Sequence, residues 1–163
     1  MFSVLKKFPL ENDNGLYYSI DYTRGRIIVS GSYGEIKDLY IPSHIESLPV
    51  TVISQNAFEN NKGIVRAFIP KTVEDINERA FNKCESLKDI FISNDTKFIA
   101  YDAFSHCDNI TLHCNEGSCA FRLAQIRSYK QENLSCPEFA SSVLNDDVIS
   151  ADFNSSKVYV PAR

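Results

Sequence analysis

Apolar and polar positions alternate in short runs along the chain, and the runs repeat. Ala-Phe pairs fall at Ala57-Phe58, Ala80-Phe81 and Ala103-Phe104, a spacing of 23 residues each time. Other positions keep step: Ile69 with Ile92, Ile76 with Ile99, and Ile64 with Leu87 and Ile110. Asn61, Cys84 and Cys107 form one further column. A fixed period in the range of roughly 20–50 residues is the mark of a solenoid. One such unit cannot bury its own apolar face, whereas a stack of them shares a continuous core. Within each unit a triplet such as Ile90-Phe91-Ile92 alternates as a strand does, with Ile90 and Ile92 inward. Pro42 and Pro70 follow the strand triplets and end sheet pairing, because proline has no N–H to donate.

The segments IPSHIESLPVTVISQNAFENN, from Ile41 to Asn61, and IPKTVEDINERAFNKCESLKDIFI, from Ile69 to Ile92, carry a resemblance. They resemble the BspA-type leucine-rich repeat family, over roughly Gly15 to Asn133. The resemblance implies a short, right-handed, mainly β leucine-rich repeat solenoid of the α/β type. The small polar residue at 61, 84 and 107 resembles the inward ladder of such repeats, which satisfies backbone groups where the chain turns. The longer first unit, with extra residues around Leu48-Pro49-Val50, is typical of the family's opening repeat. The third unit departs from the pattern: Ser93 stands where proline is expected and Thr96 where valine is expected. That predicts a weaker turn there.

Solenoid ends need lids, since an open end exposes apolar surface and sheet edge. Residues 1–36 read as an extension and a β-hairpin cap, its two strands joined around Thr23-Arg24-Gly25. Residues 37–116 read as the coils. Residues 117–133 read as a capping helix, with Ser118 as N-cap and Cys119, Leu123 and Ile126 on one face. Residues 134–163 form a tail with short strand-like runs at Val148 and Val158-Tyr159-Val160, open to packing, to partial order or to docking.

Composition narrows the function classes. With 44% hydrophobic and 23% charged residues the chain should fold as a single domain. A net charge of −4 argues against a broad nucleic-acid surface, which needs excess cations to displace counterions. No apolar run approaches the roughly 20 residues of a membrane helix. The opening MFSVLKKFPLENDNG lacks the charge-first order of a secretory signal and reads as cytoplasmic. The family resemblance implies instead export, a cell surface or delivery as an effector.

The outward position of each strand carries a ring: Tyr40, Phe68, Phe91 and, with one residue deleted, His113. Stacked coils set these about 4.8 Å apart. Asp38, Arg66 and Asp89 form the next column and alternate in sign, which suits a lateral salt-bridge ladder. An exposed aromatic ridge rimmed by charge is the expected protein-binding face. The same rings also stabilise a sheet by lateral stacking. The resemblance points the same way, to a non-catalytic module that binds host or cell-surface proteins, adhesin-like. A second reading is self-association through a sheet edge or the tail.

A third reading is thiol or zinc chemistry at His106, Cys107, His113, Cys114 and Cys119. The spacing is no clean zinc signature, and the repeat sends Cys107 and Cys114 inward but His113 outward. An odd count of five cysteines is not a disulfide framework. No phosphate loop, nucleophile elbow or His-Glu-x-x-His occurs, so neither an enzyme nor a cofactor is expected.

Overall fold

Each 23-residue period closes as one coil, and three separate hydrogen-bonded seams tie coil to coil. The computed structural model describes residues 4–10 and 13–134. The strands are β1 (Lys6–Pro9), β2 (Gly15–Asp21), β3 (Arg26–Tyr33), β4 (Asp38–Tyr40), β5 (His44–Ile45), β6 (Leu48–Ile53), β7 (Arg66–Ile69) and β8 (Asp75–Ile76). They continue as β9 (Asp89–Ile92), β10 (Phe98–Ile99) and β11 (Thr111–His113), then helix α1 (Cys119–Arg127) and β12 (Lys130–Glu132). One sheet has the order β1-β2-β3-β6-β8-β10, with β5 paired to β6. The other runs β12-β11-β9-β7-β4 and is parallel throughout.

The third seam is the Ala-Phe turn. The Phe58 N–H donates to the Ala80 carbonyl and the Phe81 N–H to the Ala103 carbonyl, both at 2.7 Å. Phe58, Phe81 and Phe104 form one interior pile, with centroids 5.0 Å and 5.4 Å apart and planes within 24°. All three are buried with Ile41, Ile69 and Ile92 in a single core.

The small polar column works as the sequence implies. Asn61 Oδ1 accepts the N–H groups of Gly63 and Ile64 at 2.9 and 3.0 Å. Cys84 Sγ donates to the Phe58 carbonyl at 3.1 Å, and Cys107 Sγ to the Phe81 carbonyl at 2.9 Å. The turn of the third unit is not left weak. Ser93 Oγ accepts the Asp95 N–H at 3.2 Å, and Thr96 Oγ1 donates to the Val73 carbonyl at 2.9 Å. Hydrogen bonds replace the missing proline.

The first unit's extra residues make the β5–β6 hairpin, whose turn residues Glu46 and Ser47 are both left-handed, at φ 51° and 64°. Glu46 is held there by Tyr18 and Lys6, which donate to its carboxylate at 2.6 and 2.9 Å. At the N-terminal end, β2 and β3 pair antiparallel around a turn in which Gly25 supplies φ +61°. β1 adds a third strand to this cap, and β3 joins the coils through parallel pairing with β6.

The C-terminal cap differs from expectation in two ways. The helix begins as predicted, with Ser118 Oγ accepting the Phe121 N–H, but it ends at Arg127 rather than at residue 133. Ser128 turns left-handed at φ 57°, and Lys130–Glu132 becomes β12, parallel to β11. The buried stripe is Ala120, Leu123 and Ala124, whereas Ile126 is 66% exposed. At about 100° per residue, the true face is centred nearer Ala120 than Cys119, which leaves Ile126 outside it. The strand-like runs read at Val148 and Val158–Val160 lie outside the described residues.

Candidate functional site

The parallel register of the five-stranded sheet aligns two columns. Tyr40, Phe68, Phe91 and His113 are partners across β4, β7, β9 and β11, and so are Asp38, Arg66, Asp89 and Thr111. The step from Asp89 to Thr111 is one residue short of the period, as the predicted deletion requires.

The rings stack flat. Tyr40 and Phe68 lie 4.4 Å apart at 3°, Phe68 and Phe91 4.7 Å at 7°, and Phe91 and His113 4.2 Å at 11°. They stand outside the core that holds their neighbours Leu39, Ile41, Ala67, Ile69, Ile90 and Ile92, so the predicted outward facing holds. The predicted exposure does not. Tyr40 is 9% exposed, Phe68 0%, Phe91 4% and His113 7%. Strand alternation decides which side of the sheet a ring takes. Whether that side is open depends on what lies across it.

The charged column is more accessible. Arg66 donates to Asp38 through Nε and Nη2, both at 2.7 Å, a bidentate pair with side-chain exposures of 32% and 16%. The hydrogen bond with Asp38 pushes the Arg66 guanidinium above its ordinary value, against partial burial. Asp89 does not extend an alternating ladder in the way expected. Its Oδ1 lies 2.8 Å from Nε2 of His113. The other ring nitrogen faces Glu132 Oε2 at 3.7 Å. Lys130 lies 2.9 Å from Glu132 Oε1, and this hydrogen bond holds the Glu132 carboxyl below its ordinary value. His113 thus lies between two carboxylates and is hydrogen-bonded to Asp89, while its Nδ1 makes no hydrogen bond to Glu132, which stands on a strand that sequence reading missed. Lys130-Gln131-Glu132 has no apolar alternation. It is held by main-chain pairing, including the Cys114 N–H to the Glu132 carbonyl at 3.0 Å.

The Cys/His cluster does not converge. Cys107 and Cys114 belong to the core, whereas His106 sits on the turn, with Nδ1 3.0 Å from Asn82 Oδ1. His113 is on the sheet's far side, and Cys119 is half-buried at the start of α1. Among the described residues no three His, Cys, Asp or Glu side chains gather as a metal site. Burial pushes the Cys114 thiol up. A hydrogen bond between Cys84 and Cys107, together with burial, pushes the Cys84 thiol up as well. Both are thereby held as thiols, the unreactive form.

The repeated coils lie within a match to a family of repeats. The model for the BspA type leucine rich repeat region (6 copies) matches residues 31–122 and 51–143. The chain belongs to the BspA-type leucine-rich repeat family. Three solved structures are similar to it. A leucine-rich repeat protein from Bacteroides ovatus is 21% identical, with 71% of this chain and 36% of that one covered and a TM-score of 0.46. A leucine rich cell surface protein from Faecalibacterium prausnitzii is 16% identical, covering 87% and 43%, with a TM-score of 0.49. The T. pallidum leucine rich repeat protein is 20% identical, covering 67% and 72%, with a TM-score of 0.41. The chain therefore spans about a third of the Bacteroides ovatus protein's length. Comparison with curated proteins gives no match. Among the described residues no helix of this BspA-type chain is long and apolar enough to cross a membrane.

Proposed function

We propose that this BspA-type solenoid is a non-catalytic protein-interaction module that meets its partner on the outer face of the five-stranded sheet. The observation that carries the reading is the registered pair of columns, Tyr40-Phe68-Phe91-His113 beside Asp38-Arg66-Asp89. Rigid rings and a bidentate arginine are the groups that dominate protein interfaces. The charged column supplies the accessible contacts and the orientation. The rings supply apolar area to a partner that reaches them.

The test is affinity capture on immobilised full-length chain. Wild type is compared with an Arg66→Gln/Asp89→Asn double variant and with Lys97→Gln, which lies before β10 in the opposite sheet. A partner held by wild type and Lys97→Gln but weakened at least tenfold by the double variant supports the face. Equal retention by all three, with unchanged circular dichroism, removes it.

A second reading, self-association, is favoured by one observation at the last coil. Phe98, Tyr101 and Ile126 are 46%, 60% and 66% exposed around the β10–α1 end. Light scattering over a concentration series, with Phe98→Asp as comparison, tests it. A constant monomer mass in both disfavours it.

A further inference from the structure

The inward polar column changes its chemistry partway along the solenoid. Asn61 accepts two backbone N–H groups, whereas Cys84 and Cys107 in the next two coils donate S–H bonds to the Phe58 and Phe81 carbonyls one coil back. A single buried thiol is most simply a small apolar filler. Two of them one period apart are different, because the coil repeat sets them side by side. The Phe81 N–H donates to the Ala103 carbonyl at 2.7 Å and the Lys83 N–H to the Ser105 carbonyl at 2.8 Å, so the backbone leading to the two cysteines is paired as in a parallel ladder. Chains paired in this way lie about 4.8 Å apart. A disulfide spans a Cα separation of roughly 4.4–6.8 Å. Both side chains point into the same core, and a hydrogen bond joins them. The position equivalent to Cys114 in the coil before is Ile92, so that thiol lacks such a neighbour.

The pair is chemically unequal. Cys107 is 6% exposed and Cys84 0%. The hydrogen bond with Cys84 holds the Cys107 thiol below its ordinary value, against the effect of burial, while Cys84 is pushed up. The thiolate is the form that attacks, so Cys107 is the nucleophile and Cys84 the partner that keeps its proton.

We propose that Cys84 and Cys107 form a two-thiol oxidation site for small peroxides, with a disulfide between successive coils as its product. The Cys107 thiolate attacks one oxygen of hydrogen peroxide. The O–O bond breaks, and the other oxygen leaves as hydroxide and takes up the proton that Cys107 released. Cys107 is then a sulfenic acid. The Cys84 sulfur attacks the Cys107 sulfur, the S–S bond forms as the S–O bond breaks, and the departing hydroxide takes the Cys84 proton. Two thiols lose two electrons, and one peroxide becomes two waters. The disulfide removes the S–H donors from the Phe58 and Phe81 carbonyls, so it forms at the expense of native hydrogen bonds and is readily reduced. The site lies in the core rather than on the sheet's outer face, so it stands or falls apart from the interaction reading.

Peptide mapping of the full-length wild-type chain tests it, after one equivalent of hydrogen peroxide at low protein concentration and blocking of residual thiols with N-ethylmaleimide. Cleavage at lysine, arginine and aspartate puts Cys84, Cys107 and Cys114 on separate peptides. The expected product is a Cys84–Cys107 link within one molecule, lost again on treatment with dithiothreitol, with Cys114 still alkylated. Links of either residue mainly to Cys114, Cys119 or Cys136, links only between molecules, or Cys84 and Cys107 both still alkylated overturn the proposal. The same treatment in urea removes the coil stacking and should lower the Cys84–Cys107 share of all links at least threefold. An equal share in folded and unfolded chain overturns it as well. In a Cys84→Ser variant, dimedone should trap the sulfenic acid at Cys107. Label at other cysteines but not at Cys107 overturns the assignment of the attacking thiol.

Discussion

The Phe81 ring packs against the Phe104 ring of the next coil, with centroids 5.4 Å apart and planes 24° from parallel. The two residues are one period apart in sequence and adjacent in the core. With Phe58 on its other side, Phe81 is wholly buried. Phe81→Ala should therefore cost about 3–5 kcal/mol, the usual range for emptying such a site. Phe68 lies on the other side of the sheet but is equally buried, so Phe68→Ala should fall in the same range. Urea denaturation of both variants checks this. A Phe68→Ala cost under about 1 kcal/mol would show that ring to be open to water.

A separate prediction concerns the polar column. Asn61 Oδ1 accepts two backbone N–H groups that otherwise lack an acceptor in that turn. Asn61→Ala should destabilise by about 1–3 kcal/mol, since it strands partly buried donors. Asn61→Asp keeps the acceptor and loses only the bond to Ser32, so it should cost clearly less. The order of the two unfolding midpoints decides the matter.

The turn after each Ala-Phe pair uses a left-handed residue: Asn60, Lys83 and His106, at φ 62°, 58° and 57°. Asparagine and histidine tolerate this region, whereas lysine gains nothing from it. Lys83 is exposed, and its N–H bond to the Ser105 carbonyl survives any substitution that keeps the N–H. Lys83→Gly should stabilise by about 0.5–1 kcal/mol, the left-handed penalty less glycine's added chain entropy. A lower thermal midpoint in Lys83→Gly would contradict it.

Acid should loosen the N-terminal cap. Hydrogen bonds from Tyr18 and Lys6 hold the Glu46 carboxyl below the ordinary value of 4.5. A carboxyl lowered on folding stabilises fully above its unfolded value, and that contribution is lost as pH falls through the lower folded value. Wild type should therefore lose stability below pH 4.5, and Glu46→Gln should show a smaller loss over the same window. Urea midpoints at pH 7 and pH 3 provide the comparison. Identical pH dependence in the two proteins would remove Glu46 from the account.

Much of this architecture can be read from letters one period apart. The Ala-Phe column, the Asn61-Cys84-Cys107 column and the inward isoleucines are each a repeated environment, and repetition is visible without coordinates. Ring order along the sheet is legible for the same reason, down to the deletion before His113. Three features are not. The β5–β6 turn is made by Glu46-Ser47, with no glycine or asparagine to announce it, and is steadied by contacts from β1 and β2. The strand β12 is built from Lys-Gln-Glu and rests on main-chain bonds that leave no side-chain pattern. The burial of Phe68 depends on what lies across the sheet, whereas alternation reports only which side the ring takes.

The central claim is that equivalent positions of successive coils touch. Aromatic NOE spectroscopy of the full-length chain with selectively labelled phenylalanine measures that contact directly. Cross-peaks should join Phe58 to Phe81, Phe81 to Phe104 and Phe68 to Phe91, with none between Phe58 and Phe104. Absence of the first three, or a Phe58–Phe104 contact in their place, would contradict the stacked-coil account.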